Sequence, residues 1–146
     1  MFKKFAILLA PFMLAPLGSL LTPSAAHANT TYWTPTKDCK FSARDYTRWS
    51  ARIEVRSSDS AARAIQVKYG YGNSERISRV KVWENRVIDG NSQSFPSITL
   101  DSGNRTDWTS PIFNPPQTWI STLGSRYVNV TLFNADGRTC TSKIEF

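Results

Sequence analysis

The sequence predicts an all-β domain, a two-layer antiparallel sandwich with immunoglobulin-like strand order, closed by one disulfide. Three observations carry the prediction. Apolar and polar residues alternate with period two through much of residues 46–146, which marks strands with one face buried. Clusters of Gly, Asn, Asp and Ser separate these runs, with no strand–helix rhythm of the kind that builds a parallel sheet. Cys39 and Cys140 fall in the first and last of the expected strands. A jelly roll or a small barrel is the next architecture that fits.

Residues 1–28 read as a signal peptide. Lys3 and Lys4 give the charged start, residues 5–21 the apolar stretch, and Ala26-His27-Ala28 the small-residue site cut after Ala28. Pro11, Pro16 and Gly18 weaken that stretch as a permanent membrane helix. The style is bacterial, and a secreted protein is expected. Residues 29–38 form an N-terminal arm and 39–146 a single domain, within a mature chain of 118 residues. Tyr32 and Trp33 in the arm are expected to plug the domain edge, since apolar residues near a terminus usually dock.

The strands follow in order. Cys39, Phe41 and Ala43 share a phase. Trp49, Ala51, Ile53 and Val55 alternate with Ser50, Arg52, Glu54 and Arg56; Ile65, Val67, Tyr69 and Tyr71 with Gln66, Lys68 and Gly70; Val80 and Val82 with Arg79, Lys81 and Trp83. Ile98 and Leu100 suggest a short strand, and residues 108–113 another, with Pro111 marking it as an edge. Asn114, Pro115 and Gly124 have the order of cap, first turn and stop, so one short helical turn is expected near 115–123, with Trp119 and Leu123 covering an end of the domain. Val128, Val130 and Leu132 alternate with Tyr127, Asn129 and Thr131. Residues 134–137 (Asn-Ala-Asp-Gly) then turn the chain into a last strand in which Cys140, Ile144 and Phe146 share a phase. Both cysteines therefore point inward. In an oxidising compartment they pair with each other.

Composition narrows the chemistry. The mature chain carries 16 Lys and Arg against 11 Asp and Glu, and 11 of those cations are arginine. Arginine makes forked contacts with carboxylates, phosphates and sulfates, so an anionic partner is one reading and simple solubility the other. The sole histidine, His27, leaves with the signal peptide. That removes Ser-His-Asp and Cys-His hydrolysis and leaves zinc poorly supplied. Two enzyme chemistries survive. A glycosidase would need a pair among Glu54, Glu75, Glu84 and Asp89. An elimination on an acidic polysaccharide would cast Arg79, Lys81 and Tyr69 as anion clamp and proton carriers. No nucleophile–base pair stands out, so the balance leans against an enzyme, and no cofactor is expected. Asp101, Ser102, Asn104 and Asp107 around Gly103 could hold calcium, but ordinary turn chemistry explains them better.

The sharpest candidate site is a basic, tryptophan-bearing sheet face made of Arg52, Arg56, Lys68, Arg79, Lys81 and Trp83. Like charges side by side on a sheet cost stability, a cost that a bound anion offsets, and a flat ring can stack on a sugar. The expected function is that of a secreted, monomeric binding module for an anionic polymer or glycan on a cell surface. A membrane-active toxin or antimicrobial protein meeting an anionic membrane is the alternative, and an inhibitor presenting residues 70–76 or 101–107 to a protein is a third. Nucleic acid is not expected as the physiological partner.

Overall fold

The computed structural model describes residues 28–72 and 75–146. Residues 1–27, which hold all but the last residue of the expected 1–28 signal peptide, and residues 73–74 of the 72–74 turn lie outside the described residues. The described residues form two five-stranded antiparallel sheets and no helix. The first sheet holds β1 (Thr30–Trp33), β2 (Lys37–Lys40), β3 (Tyr46–Arg56), β4 (Ala61–Gly70) and β8 (Trp108–Thr109). Both β1 and β2 pair with β3, so the expected arm is carried on the sheet as an edge strand. The second sheet holds β5 (Ile77–Ile88), β6 (Asn91–Ser94), β7 (Ile98–Arg105), β9 (Ser125–Asn134) and β10 (Thr139–Glu145). β9 lies between β10 and β5, while β6 and β7 share the far side of β5.

The inward residues of both sheets form one core, as the alternation requires. Trp49, Ala51 and Ile53 of β3 and Val67 and Tyr69 of β4 belong to the same buried cluster as Val80 and Val82 of β5 and Val128, Val130 and Leu132 of β9. Cys39 and Cys140 lie in that cluster and are bonded, with their Cα atoms 5.6 Å apart, so β2 of one sheet is tied to β10 of the other. Polar links also cross between the sheets, two of them from rings of the first sheet. Trp49 Nε1 donates to Ser142 Oγ of β10 at 2.6 Å, and Tyr69 Oη donates towards the Ile77 carbonyl at 3.3 Å.

Three expectations need correction. Residues 115–123 form no helical turn. The chain from Ser110 to Ile120 instead follows β4, where Val67, Ile65 and Ala62 carbonyls accept from the amides of Ser110, Phe113 and Ile120, and the Ile120 carbonyl accepts from Ala62. Edge pairing uses the same backbone groups a helical turn would need. Leu123, expected to cover an end of the domain, is exposed. The phase of β4 also breaks. Arg52 faces Gln66 but Ile53 faces Ala64, leaving Ile65 as an extra residue in a bulge. Ala62 and Ala64 enter the core as a result, and Tyr71, placed with the inward set by simple alternation, is 86% exposed.

Candidate functional site

The six residues expected on one face fall on two. Arg52, Arg56 and Lys68 belong to β3 and β4 of the first sheet. Arg79, Lys81 and Trp83 belong to β5 of the second. Since the core lies between the sheets, outward side chains of β3 and β5 point to opposite sides of the molecule. Alternation assigns each residue to the inside or outside of its own strand. It carries no information about which strands share a sheet.

The outer face of the first sheet satisfies most of its own charges. Arg52 donates to Gln66 Oε1 at 3.1 Å and Thr31 Oγ1 at 3.0 Å. Arg56 binds Asp59 through two nitrogens. Arg63 binds Glu54 at 2.9 Å, an ion pair made possible by the bulge that turns Arg63 outward opposite Glu54. Hydrogen bonds from Asn29 and Arg63 outweigh partial burial and hold the Glu54 carboxyl below its ordinary range. Two tryptophans complete this face. The Trp119 ring lies under Arg63 at 4.0 Å and Arg56 at 4.5 Å, and the Trp33 ring lies under Lys68 at 4.2 Å. These cation–π contacts explain why Trp33 and Trp119 are half-buried although neither enters the core.

The outer face of the second sheet is different. Arg79, Lys81, Trp83 and Asn85 of β5 stand opposite Phe133, Thr131, Asn129 and Tyr127 of β9. On the far side of β9, Thr141 and Lys143 of β10 stand opposite Thr131 and Asn129. Arg79 lies over the Phe133 ring at 4.3 Å, Lys143 over the Tyr127 ring at 4.4 Å, and Lys81 lies 5.6 Å from the Trp83 ring centre. Asn129 Nδ2 donates to Asn85 Oδ1, and the Thr131 and Thr141 hydroxyls share a hydrogen bond of 2.8 Å. Among the described residues, Arg79, Lys81 and Lys143 have no carboxylate at ion-pair distance. Asp101 faces Arg79 across the β5–β7 pair, but its Oδ1 instead accepts the Gly103 amide at 2.7 Å. That turn bond is local chemistry of the kind the sequence suggested for residues 101–104.

This face therefore combines three unneutralised cations, three aromatic rings and an ordered set of amides and hydroxyls. Tyr127, Asn129, Thr131, Phe133, Thr141 and Lys143 were not among the six candidates. Tyr127, Asn129 and Thr131 do form the outward row of their strand in the alternation; what the pattern lacks is the pairing of that row with Trp83.

Glu84 is buried in the core; Glu54 and Glu75 are held by Arg63 and Arg138. Tyr69 points inward, whereas Arg79 and Lys81 point outward from the other sheet. No protein-family model matches this chain, and none of the curated proteins matches it in sequence.

Proposed function

We propose that the chain is a secreted, non-catalytic module that binds an anionic cell-surface polymer or glycan through the outer face of the second sheet. The observation that carries the reading is the set of Arg79, Lys81 and Lys143, all without carboxylate partners, around Trp83, Tyr127 and Phe133. Cations recruit the anionic chain, rings supply stacking area, and Asn85, Asn129, Thr131 and Thr141 offer hydrogen-bond partners to hydroxyls. Of the six residues expected from sequence, Arg79, Lys81 and Trp83 stay in the site; Arg52, Arg56 and Lys68 belong to a surface that neutralises much of its own charge. Export fits the Ala-x-Ala leader pattern and the closed disulfide, which belongs to an oxidising compartment.

The strand order supports an immunoglobulin-like sandwich as scaffold. In that reading β3, β4 and β8 take the places of strands A, B and E; β5, β9 and β10 take those of C, F and G; β6 and β7 extend the second sheet. β1 and β2 are additions along β3. The recognition face is then the exposed side of the C–F–G sheet.

Retention on a sulfated-polysaccharide resin tests the reading. The wild type is expected to bind at low salt and elute as salt rises, because counterion release weakens such contacts. Trp83→Ala is expected to elute earlier with a nearly unchanged melting temperature, and Lys81→Ala with Lys143→Ala likewise. Retention that ignores salt, or a Trp83→Ala protein that binds as before, overturns it. Dye release from anionic vesicles by the wild type instead favours the membrane-active alternative.

A further inference from the structure

A second feature lies away from the Trp83 face, at the end of the first sheet. An open cleft of about 490 Å³ is lined by Lys68, Gly70, Tyr71, Arg105, Asp107 and Trp108, together with Tyr69 and Thr109. Its size is within the range typical of small-ligand sites.

The way Tyr71 is held is unusual. It is 86% exposed and has φ +57°, a left-handed conformation that a bulky side chain rarely adopts. Two glycines make that posture possible. A Cβ on Gly72 would sit 2.6 Å from the Thr47 Cα and the Tyr46 carbonyl oxygen, so the chain after Tyr71 lies directly on β3. A Cβ on Gly70 would sit 3.2 Å from Asp107 Cβ, so the 105–109 turn is drawn against the end of β4. Strained backbone that projects an aromatic ring into water, rather than burying it, points to a ring kept for contact.

The chemistry around the ring is equally specific. Lys68 and Arg105 bring two positive charges and Asp107 one negative, and among the described residues none of the three is in an ion pair. Trp108 packs on Tyr69 with ring centres 5.9 Å apart, which fixes the inner wall. A ring for stacking, two cations for an anion and one carboxylate to accept hydroxyl protons together suit a hydroxyl-bearing ring that carries a negative group.

We infer that this cleft is a second binding site, for a single anionic sugar residue carrying a carboxylate or sulfate. Tyr71 stacks on the sugar ring, Arg105 takes the anionic group, Lys68, whose ammonium rests on the Trp33 ring, adds positive charge at the cleft wall, and Asp107 accepts from the sugar hydroxyls. The site uses none of the residues of the Trp83 face and does not depend on it. With both sites occupied, one molecule joins two acidic chains.

The test is titration of the ¹⁵N-labelled mature protein, followed by NMR, with methyl glucuronide, glucose 6-sulfate and methyl glucoside as neutral control. Shifts are expected at Tyr71, Arg105, Asp107 and the Trp108 indole with the acidic sugars, and binding of the neutral sugar is expected to be at least five-fold weaker. The two acidic arms tell which anion is preferred. Tyr71→Ala is expected to weaken binding five-fold or more, the range of a single stacking contact, with an unchanged melting temperature because the ring is exposed. Absence of shifts in the cleft, equal binding of the neutral sugar, or an unaffected Tyr71→Ala protein overturns the inference. Shifts at Trp83 with none at Tyr71 overturn the cleft alone and leave the sheet face standing. Loss of polymer retention with intact cleft shifts does the reverse.

Discussion

Glu84 is a carboxyl side chain wholly buried between the sheets. It continues the inward phase of Val80 and Val82 on β5 and has no solvent exposure. Its Oε1 accepts the Ala64 amide, within the stretch of β4 where the bulge breaks pairing with β3, and its Oε2 has no hydrogen-bond partner. Burial pushes its pKa from 4.5 up to about 8, against smaller downward pulls from the Ala64 amide and Arg63. The folded chain therefore keeps a proton that the unfolded chain releases above pH 4.5. Stability falls as pH rises between pH 4.5 and about 8, with a slope approaching 1.4 kcal/mol per pH unit. Below that window both states are protonated and the loss is absent. Asp45 and Asp59, whose pKa values are lowered by hydrogen bonds to Ser42 and Arg56 respectively, act in the opposite sense and only in more acid solution. Glu84→Gln keeps an oxygen for the Ala64 amide and removes the charge. Urea unfolding at pH 5, 6.5 and 8 is expected to show the wild type weakening across the series and Glu84→Gln staying nearly level. Parallel curves for the two proteins would assign the pH dependence elsewhere.

The β9–β10 hairpin shows how an element is fixed by one buried amide. Asn134 closes β9, and its Oδ1 accepts the amides of Asp136 and Arg138 at 3.1 and 2.8 Å. Its Nδ2 donates to Glu75, which also binds Arg138 at 2.9 Å. Gly137 supplies the positive φ of +80° that the turn requires. Asn134→Ala leaves two turn amides and Glu75 without this partner, and a loss of about 1–3 kcal/mol is expected by urea unfolding. Asn134→Asp retains the oxygen but sets a second carboxylate beside Glu75, so a partial loss is expected. This hairpin was legible in the sequence, because turn chemistry and strand phase are both local. So were β3, the first part of β5, the edge character of β8 and the inward cysteines. What failed was non-local. Asn114, Pro115 and Gly124 carry helix punctuation, yet β4 claims the amides of Phe113 and Ile120 from across the edge. Ile65, Val67 and Tyr69 alternate cleanly, yet the bulge hands the core to Ala62 and Ala64 instead of Ile65. The candidate site failed in the same way. Trp83 and Tyr127 are 44 residues apart in sequence and on neighbouring strands in space, a relation that periodicity cannot express.

At the scale of the whole molecule, the Cys39–Cys140 bond spans 101 residues and joins an edge strand of one sheet to an edge strand of the other. A cross-link over so long a loop restricts the unfolded chain strongly, by roughly 4–5 kcal/mol on chain-entropy grounds. Much else persists without it. β2 stays paired with β3 over four residues, β10 with β9 over seven, and the Trp49–Ser142 hydrogen bond still joins the layers. Replacement of both cysteines by alanine is therefore expected to preserve the fold. It is expected to lower unfolding stability by about 3–5 kcal/mol, and the melting temperature by more than ten degrees for a domain of this size. Because alanine opens the unfolded state, the denaturant slope should rise modestly with the extra surface exposed. The face proposed to bind polymer provides an independent readout. Trp83, Tyr127 and Phe133 sit on the central β5–β9 pair, whereas Lys143 and Thr141 sit on β10. If the bond acts through chain entropy, the double variant loses stability and keeps its polymer retention in the cold. If it instead pins β10 to its place, retention falls by the Lys143 share while most of the stability remains, and circular dichroism shows a partial loss of strand signal before the main transition.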